Sequence, residues 1–376
     1  MTSIHLNRWI WERPGWPVFT WDSASLALPL AAARLAQTEV AGAGKLLNTE
    51  MDLSAQLEVL TREGIATSAI EGTRFDANAL RSSLARRLGL PTAGLPRPPR
   101  SVEGLADVLL DATEHFDGAL TLKKLFAWQA ALFPTGRSGI HEVHVGDLRR
   151  EDPMPIVSGT IERQRIHYIA PSRDRLDQEM RDFLAWYNDP PPRLDGLLRA
   201  GLAHVWFELI HPFEDGNGRV GRALLDRALA QDERRAVRLY SVSAQLMATR
   251  DEYYAALERA SRGSLDLTDW LDWFLKQFAA AVRESERLLE RVTHKARFWI
   301  LHSQDPLNER QRKALNLMLD AGPAGFVGGM TNRKYSHLTK TSTATAQRDL
   351  AELVALKCLL PVGVGRAARY ELPPSI

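Results

Sequence analysis

The sequence predicts a mainly helical protein with one small β-hairpin in its core and a winged helix-turn-helix at its carboxyl end. Three observations support this fold class. Apolar residues recur three and four positions apart over most of the chain, as they do on the buried face of an α-helix. Two short β-prone runs, residues 155–159 and 166–169, flank a turn. After residue 301, three helical segments and a glycine-broken hairpin follow in the order of a winged helix-turn-helix.

The composition is that of a globular protein with more than one domain. The chain has 376 residues, of which 45% are hydrophobic and 25% are charged. Its formal net charge of +2 argues against wholesale nucleic-acid coating and against membrane adhesion. The single cysteine, Cys358, is typical of a reducing cytosol, and no run resembles a signal peptide or a membrane span. We therefore expect a cytoplasmic protein without a membrane partner.

Residues 1–100 are predicted to form an N-terminal helical domain. It begins with four tryptophans between Trp9 and Trp21, which we interpret as a loop that buries large rings by packing. Helical patterns follow over residues 26–46 and 51–63, and the second continues through Ile70. Four prolines within residues 89–100 indicate a connector, because proline removes a backbone donor and disfavours helix at the preceding residue.

Residues 101–292 are predicted to form a helical core, and residues 301–376 the winged helix-turn-helix. Core helices are predicted over residues 102–116, 122–133, 175–187, 194–210, 219–231, 243–262 and 266–291. In the tail, the helix predicted over residues 343–357 is expected to present these side chains outward: Thr345, Arg348, Asp349 and Glu352. Such a mixed-charge face suits a protein partner or a homo-oligomer contact better than it suits DNA.

The segment over residues 211–222, His-Pro-Phe-Glu-Asp-Gly-Asn-Gly-Arg-Val-Gly-Arg, joins two predicted helices. Gly216 and Gly218 allow positive φ and expose backbone N–H groups just before a helix. Such a loop binds anions, because free N–H groups and the helix dipole point to the same place. Arg219 and Arg222 are three residues apart, so their guanidinium groups reach one face and suit phosphate.

A metal ligand and a base lie in the same segment. Asp215 offers a carboxylate for Mg²⁺, which proteins hold through carboxylates together with substrate phosphates. His211 ends the preceding helix and is the residue here that titrates near neutral pH. Each feature alone is common in structural roles, so the prediction depends on their combination. The combination indicates nucleotide phosphates, Mg²⁺ and a general base, the components of a displacement at phosphorus.

This segment resembles the motif of the Fic family, H-x-F-x-[D/E]-G-N-G-R-x-x-R, and matches it at every specified position. The resemblance implies a helical Fic core and transfer of AMP from ATP to a hydroxyl of a target protein. It implies that His211 deprotonates this hydroxyl and that Asp215 holds Mg²⁺ against the α- and β-phosphates. It also implies that Asn217 and the Gly216 and Gly218 amides line an anion hole. It implies further that Arg219 binds the β-phosphate, that Arg222 binds the γ-phosphate, and that Phe213 anchors the loop in the core.

Other parts of the family's site are matched less closely. The hairpin resembles the family's flap, which clamps the target segment by strand addition. Tyr254 lies where family members contact the nucleoside, and Ser261 stands where some of them have Asn. The sequence Asp147-Leu148-Arg149 departs from the usual Tyr-Arg before the flap. The predicted flap residues are Ile156, Val157, Ser158 and Gly159.

A second pattern lies upstream. The sequence of residues 67–72, Thr-Ser-Ala-Ile-Glu-Gly, matches the family's inhibitory pattern [S/T]-x-x-x-E-[G/N]. The pattern is short, but it accompanies a complete Fic motif, so we interpret Glu71 as inhibitory. A charge-assisted pair between Glu71 and Arg222 would occupy the guanidinium that the γ-phosphate needs. Together with the Trp-rich start and the winged helix, this arrangement resembles one bacterial branch of the family.

The sequence leaves other functions open. One is a DNA-binding regulator whose Fic core senses a nucleotide without chemistry, although a degenerate loop would favour it and this loop is intact. Another is a Fic enzyme that removes AMP or transfers phosphate or phosphocholine. Arg219 and Arg222 favour ATP with pyrophosphate as the leaving group. Outside the motif, His204 has no companion for a metal site, and Cys358 suits a small core residue.

Overall fold

The computed structural model shows a mainly helical chain with few short strands, as predicted. It describes residues 8–44, 49–92, 95–150, 152–158, 165–321, 326, 328–363 and 368–373. Contacts within the chain define two compact units, residues 1–44 with 56–284 and residues 45–55 with 285–376. Within the described residues, no helix has both the length and the apolar character that a membrane crossing needs.

The first unit contains the helices that precede and surround the predicted site. In chain order these are α1 (Ser23–Gly44), α2 (Thr49–Ile70), α3 (Ala77–Arg87), α4 (Arg100–Glu114), α5 (Leu122–Leu132), α6 (Leu176–Asn188), α7 (Gly196–Ile210), α8 (Asn217–Glu233), α9 (Val242–Ala248) and α10 (Arg250–Arg262). Both α2 and α11 (Thr268–Leu301) have residues in the two units. A further division of this unit into an N-terminal domain and a core stays a prediction.

Helices α7 and α8 form the centre of the first unit and pack extensively on each other. Helix α7 is apolar on all sides and nearly all of its residues are buried, which is expected for a helix surrounded by others. Asp195 caps its amino end, with a side chain that accepts a hydrogen bond from the Leu197 N–H at 2.8 Å. Most of α8 is buried as well, including the charged Arg222 and Arg227. The loop between these helices is therefore held at both ends by buried, closely packed helices.

The predicted hairpin is present and is fastened at its second strand. Strands β1 (Arg137–Ser138) and β2 (His141–Glu142) pair, and β3 (Pro155–Ser158) pairs antiparallel with β4 (Arg165–Ile169). Tyr168 of β4 donates from its hydroxyl to the Leu209 carbonyl at 2.8 Å. Trp9 packs edge-on against Tyr168, with ring centroids 5.5 Å apart, and Trp11 Nε1 donates to the Ile169 carbonyl at 2.8 Å. The Trp-rich start packs as predicted. Gly159, predicted to belong to the flap, lies outside the described residues.

The second unit contains the predicted order of three helices and a hairpin. These are α12 (Glu309–Asp320), α13 (Asn332–Thr339), α14 (Thr343–Ala355), β5 (Leu360–Val362) and β6 (Arg369–Glu371). One prediction was wrong, because Asp349 of α14 does not face outward and is only 4% exposed. Its carboxylate accepts hydrogen bonds from Tyr335 Oη and Arg310 Nε, both at 2.9 Å. Pairing with these two donors lets a carboxylate occupy a buried position.

Candidate active site

The loop between α7 and α8 is shaped by two residues with positive φ. His211 follows the last residue of α7 with φ 51°, and its N–H donates to the Phe207 carbonyl at 3.0 Å. Gly216 precedes α8 with φ 91°, a conformation that glycine adopts without a steric penalty. Between them, Phe213 is fully buried and packs against Phe207. The chain thus leaves one buried helix and enters the next through a short anchored loop.

Asn217 braces this loop with its side chain. Its Oδ1 accepts from the Phe213 N–H at 2.9 Å, and its Nδ2 donates to the Phe213 carbonyl at 2.7 Å. Both polar ends of the Asn217 side chain are thus used within the loop, and its expected part in an anion hole stays a prediction. The backbone amides at the start of α8 can still bind an anion, since the first N–H groups of a helix have no intrahelical partner.

Gly218 is required for space and not for its backbone conformation. It lies in the first turn of α8, so the expected positive φ is found only at Gly216. A Cβ on Gly218 would lie 2.1 Å from Glu71 Oε1 and 3.0 Å from Arg222 Nη1. Only a residue without a side chain allows Glu71 to approach the start of α8 so closely.

Arg222 is paired with the end of α2. Its Nη2 lies 2.7 Å from Glu71 Oε1, its Nε donates to Thr67 Oγ1 at 2.7 Å, and Nη2 also donates to the Thr67 carbonyl at 2.9 Å. Burial by itself would lower the pKa of Arg222, but the Glu71 carboxylate raises it above its ordinary value. The residue pair Thr67 and Glu71, four positions apart in the upstream pattern, thus holds one guanidinium.

Two residues of α10 fasten the same end of α2. Arg250 Nε and Tyr254 Oη donate to the Ile70 carbonyl, at 3.0 Å and 3.1 Å. The Arg250 guanidinium also lies 5.1 Å from the Tyr254 ring centroid. Tyr254 is 38% exposed, so its ring is also available to a ligand. Sequence reasoning assigned Tyr254 to a nucleoside and missed its contact with the segment that carries Glu71.

Asp215 and Arg219 lie together on the other side of the loop. Asp215 Oδ1 accepts from the Gly216 N–H at 2.5 Å and is 3.7 Å from Arg219 Nη2. The Arg219 guanidinium stacks 4.7 Å from the Phe133 ring centroid. The Asp215 side chain is 40% exposed, so its carboxylate is open to solvent. A single open carboxylate fits Mg²⁺, which usually keeps several waters and shares its other positions with phosphates.

A cavity of about 660 Å³ joins most of the predicted site. This volume suits a nucleotide-sized ligand. Of the described residues predicted for the site, Ser158, Asp215, Gly216, Asn217 and Arg219 are not part of its wall. The predicted residues that line it are Glu71, Ile156, Val157, His211, Gly218, Arg222 and Tyr254.

His211 is neutral in this site. Burial lowers the pKa of its imidazole to about 4. Its Nδ1 lies 3.4 Å from the Glu208 carbonyl, a contact that fits a tautomer with the proton on Nδ1 and the lone pair on Nε2. Arg149, which the sequence marked only as a departure before the flap, supports the histidine by donating from Nε to the His211 carbonyl at 3.0 Å. The imidazole can therefore accept a proton at physiological pH.

Glu208 is a site residue that sequence reasoning missed. Its side chain lines the cavity one turn before His211, and among the described residues its Oε1 has no hydrogen-bond partner. Burial raises the pKa of Glu208 to about 8, although Arg222 opposes this shift. A carboxyl in a helix that is mostly apolar was the available signal. Glu208 is thus a neutral acid beside the Glu71–Arg222 pair.

The raised pKa of Glu208 predicts a pH-dependent stability. In the unfolded chain the carboxyl ionises near 4.5 and in the folded chain near 8, so stability falls as pH rises through this window. Glu208→Gln removes this loss of stability, because the amide does not ionise. We expect it to increase the free energy of unfolding by a few kcal/mol at pH 8.5, and so to raise the melting temperature by a few degrees. At pH 4.5 it should change little. Thermal unfolding at both pH values, with exposed Glu39→Gln as control, measures this. An equal effect at both pH values would show that ionisation is not the cause.

Comparison with known families assigns two segments of the chain. A model of the Fic/DOC family matches residues 119–229, and a model described as a domain of unknown function (DUF4172) matches residues 9–90. The chain is 28% identical over 222 residues to protein adenylyltransferase fic-1 of Caenorhabditis elegans, covering 58% of this chain and 39% of the relative. It is 36% identical over 78 residues to the probable protein adenylyltransferase aq_aa38 of Aquifex aeolicus, covering 21% and 22%. It thus spans less than half the length of either relative.

Solved structures agree on the fold. A Fic family protein from Desulfovibrio desulfuricans G20 has a TM-score of 0.53 at 19% identity, over 94% of this chain and 97% of that chain. Fic-1 from C. elegans has a TM-score of 0.51 at 19% identity, over 69% and 72%. The loop between α7 and α8 lies within the segment that matches the Fic/DOC family model, residues 119–229. The chain therefore contains a Fic/DOC-type domain over these residues.

Proposed function

We propose that this chain is a cytoplasmic protein adenylyltransferase that moves AMP from ATP to a Ser, Thr or Tyr hydroxyl of a target protein, and that Glu71 holds it inactive. The observation that carries the proposal is the common cavity of His211, Arg222 and Glu71, which joins a base, a phosphate ligand and an anion that competes with phosphate. The names of the relatives, protein adenylyltransferase fic-1 and probable protein adenylyltransferase aq_aa38, support the reaction.

In the proposed reaction, neutral His211 accepts the proton of the target hydroxyl at Nε2. The hydroxyl oxygen forms a bond to the α-phosphorus while the bond from that phosphorus to the pyrophosphate oxygen breaks, and pyrophosphate leaves. Arg219 and Arg222 bind the departing charge, and the amides at the start of α8 bind phosphate oxygens. Asp215 would hold Mg²⁺, which neutralises charge on the phosphates when it is bound.

The target is proposed to bind by strand addition at the hairpin. Among the described residues β3 pairs only with β4, so its other edge is open to another strand. Val157 of β3 and Ile166 of β4 are 39% and 42% exposed, and Ile156 and Val157 line the cavity. An extended target segment paired with β3 would therefore bring its hydroxyl to the side of the hairpin that faces His211.

Inhibition is proposed to act through competition for Arg222. While Glu71 is bound to Arg222, the γ-phosphate cannot use the same guanidinium. Tyr254 and Arg250 donate hydrogen bonds to the Ile70 carbonyl. The inhibitory segment is therefore fixed to α10 one residue before Glu71. Activation then requires that Glu71 leaves Arg222, either on its own or with the end of α2.

Mass spectrometry of the chain after incubation with ATP and Mg²⁺ tests the proposed function. The Glu71→Gly variant is expected to modify itself, because Fic targets are hydroxyl side chains and a freed site meets its own surface first. A mass increase of one AMP on a Ser, Thr or Tyr supports adenylylation. A mass increase of one phosphate would show that the chain transfers phosphate instead of AMP.

Asp215→Ala is expected to reduce AMP transfer strongly and to shift the Mg²⁺ dependence to higher concentration. The reason is that the carboxylate is 40% exposed and open to an ion. The change should leave the melting temperature nearly unaltered, since an exposed loop carboxylate is readily solvated. Transfer assays over a range of Mg²⁺ concentration measure the first effect, with Glu214→Gln as a neighbouring control. A large fall in melting temperature with unchanged Mg²⁺ response would make Asp215 structural.

A further inference from the structure

Three side chains that can bind metal lie together in the second unit, outside the site described above. His302 follows α11, Asp305 precedes α12, and Cys358 follows α14. One ligand atom from each lies within 4.8 Å of the others. Cys358 is fully buried and His302 is 4% exposed, whereas the Asp305 side chain is 26% exposed. Two segments more than fifty positions apart in sequence therefore place a thiol, an imidazole and a carboxylate close together.

The distances are close to those of a tetrahedral metal site. Cys358 Sγ lies 3.4 Å from His302 Nδ1 and 3.8 Å from Asp305 Oδ2, and Nδ1 lies 2.6 Å from Oδ2. Zinc bonds of their usual lengths place such ligand atoms about 3.3–3.6 Å apart at tetrahedral angles. The two distances from Cys358 Sγ are already close to these values. Only the distance between His302 Nδ1 and Asp305 Oδ2 has to increase, by about 0.7 Å.

The backbone conformation fixes Cys358, and ring packing fixes His302. The Lys357 residue after α14 has φ 59°, an uncommon conformation for a residue with a side chain, and it turns the chain so that Cys358 enters the core. The Cys358 N–H then donates to the Leu353 carbonyl at 2.9 Å. The His302 ring packs on Phe298, with centroids 4.4 Å apart, which limits its rotation. A preformed arrangement of this kind reduces the entropy lost when a metal binds.

His302 differs in its contacts from a structural histidine of this chain. His204, a structural histidine in the first unit, has both ring nitrogens in contact with a partner, the Gly221 carbonyl at 3.1 Å and Tyr253 Oη at 2.9 Å. In His302 only Nδ1 has partners among the described residues, and the buried Nε2 has none. The imidazole thus directs its hydrogen-bonding capacity toward Asp305 and Cys358 alone.

The arrangement also does not suit catalysis or redox sensing. In a cysteine protease triad, the thiol and the acid contact different nitrogens of the histidine, whereas here both contact Nδ1. Cys358 is fully buried, whereas a redox-sensing thiol has to be accessible to solvent. Metal binding is the chemistry that uses all three groups at once.

We propose that His302, Asp305 and Cys358 form a Zn²⁺ site with water as the fourth ligand. A thiolate, an imidazole and a carboxylate are the ligands that zinc takes, and Mg²⁺ and Ca²⁺ disfavour sulfur. The thiolate and the carboxylate together balance the charge of the ion, which permits its burial. Water enters beside the partly exposed Asp305. The ion links the segment after α11 to the segment after α14 and so stabilises the second unit against unfolding.

Cobalt titration of the whole 376-residue chain, after treatment with a chelator, tests the site. Co²⁺ replaces Zn²⁺ in such sites, and a thiolate ligand gives it a sulfur-to-metal charge-transfer band in the near ultraviolet. Cys358 is the only cysteine of the chain, so this band reports on Cys358 alone. We expect a band that saturates at one equivalent of Co²⁺ and disappears when Zn²⁺ is added. No band at excess Co²⁺ would overturn the proposal.

Variants identify the other ligands. Asp305→Asn and His302→Gln are each expected to weaken Co²⁺ binding at least about tenfold, since losing even an outer partner of a metal ligand has such an effect. His337→Gln, an exposed histidine of the same unit, should leave binding unchanged. If both cluster variants bound Co²⁺ as the parent does, the band would come from an isolated thiolate and the proposed site would be wrong. The titration of the parent protein decides the matter even if a variant fails to fold.

Discussion

Glu71→Gly is expected to raise AMP transfer by about tenfold or more. The Glu71 carboxylate lies 2.7 Å from Arg222 Nη2, on the guanidinium that is proposed to bind the γ-phosphate. A hydrogen bond to a charged group contributes about 1.5–3 kcal/mol, and each 1.4 kcal/mol changes an equilibrium about tenfold. Removing the carboxylate therefore frees the guanidinium for ATP. The rate of self-modification with labelled ATP measures the effect.

Two control variants separate inhibition from a general change in α2. Glu58 lies on the same helix and forms a surface ion pair with Arg81, so Glu58→Gln disturbs α2 without touching Arg222. It should leave the rate near that of the parent chain. Glu71→Gly should also fail to activate an Arg222→Ala chain, because the two residues act through one contact. Equal rates of self-modification for the parent and Glu71→Gly would show that Glu71 is not inhibitory.

His211→Ala, made in the Glu71→Gly chain, is expected to lower AMP transfer by about 10²–10⁴-fold. Loss of the imidazole removes the proton acceptor but leaves the α8 amides and Arg222 in place, so ATP should still bind. Calorimetric titration with ATP and the transfer assay together separate these effects. Exposed His141→Ala is the matched control and should retain full activity. Transfer at the parental rate without His211 would mean that another group takes the proton.

The pH profile gives a second test of the same residue. Burial lowers the pKa of His211 to about 4, so the imidazole is the unprotonated base at every pH well above that value. As far as His211 determines kcat/KM, activity should be level between about pH 6 and pH 8 and fall only in more acidic solution. A fall in activity centred near pH 6.5, the ordinary pKa of histidine, would show that the site does not bury the imidazole in this way.

The sequence predicted the helical fold well because periodic apolar residues determine which helix faces are buried. Helix α4 is an example, since its apolar residues recur on one face of the helix and that face is buried. The loop over residues 211–216 was predictable for a related reason. Local geometry, a turn with Gly216 before a helix, largely determines where its groups point.

The sequence could not show what depends on contacts between distant segments. Asn217 bonds back to Phe213, so its role in the loop appears only when the turn is closed. Asp349 was placed on the outer face of its helix because charged residues are commonly exposed, yet Arg310 and Tyr335 compensate its burial. Glu208 and the cluster at Cys358 were missed for the same reason. Their environments are formed by residues that are remote in the chain.

The most direct measurement of the central claim is label transfer from ATP to protein. The Glu71→Gly chain is incubated with Mg²⁺ and ATP labelled at either the α- or the γ-phosphate, with Glu71→Gly/His211→Ala as the control. Label from the α-position should reach protein, label from the γ-position should leave in pyrophosphate, and the control should acquire neither. Protein labelled from the γ-position, or labelled from neither position in the Glu71→Gly chain, would contradict the account.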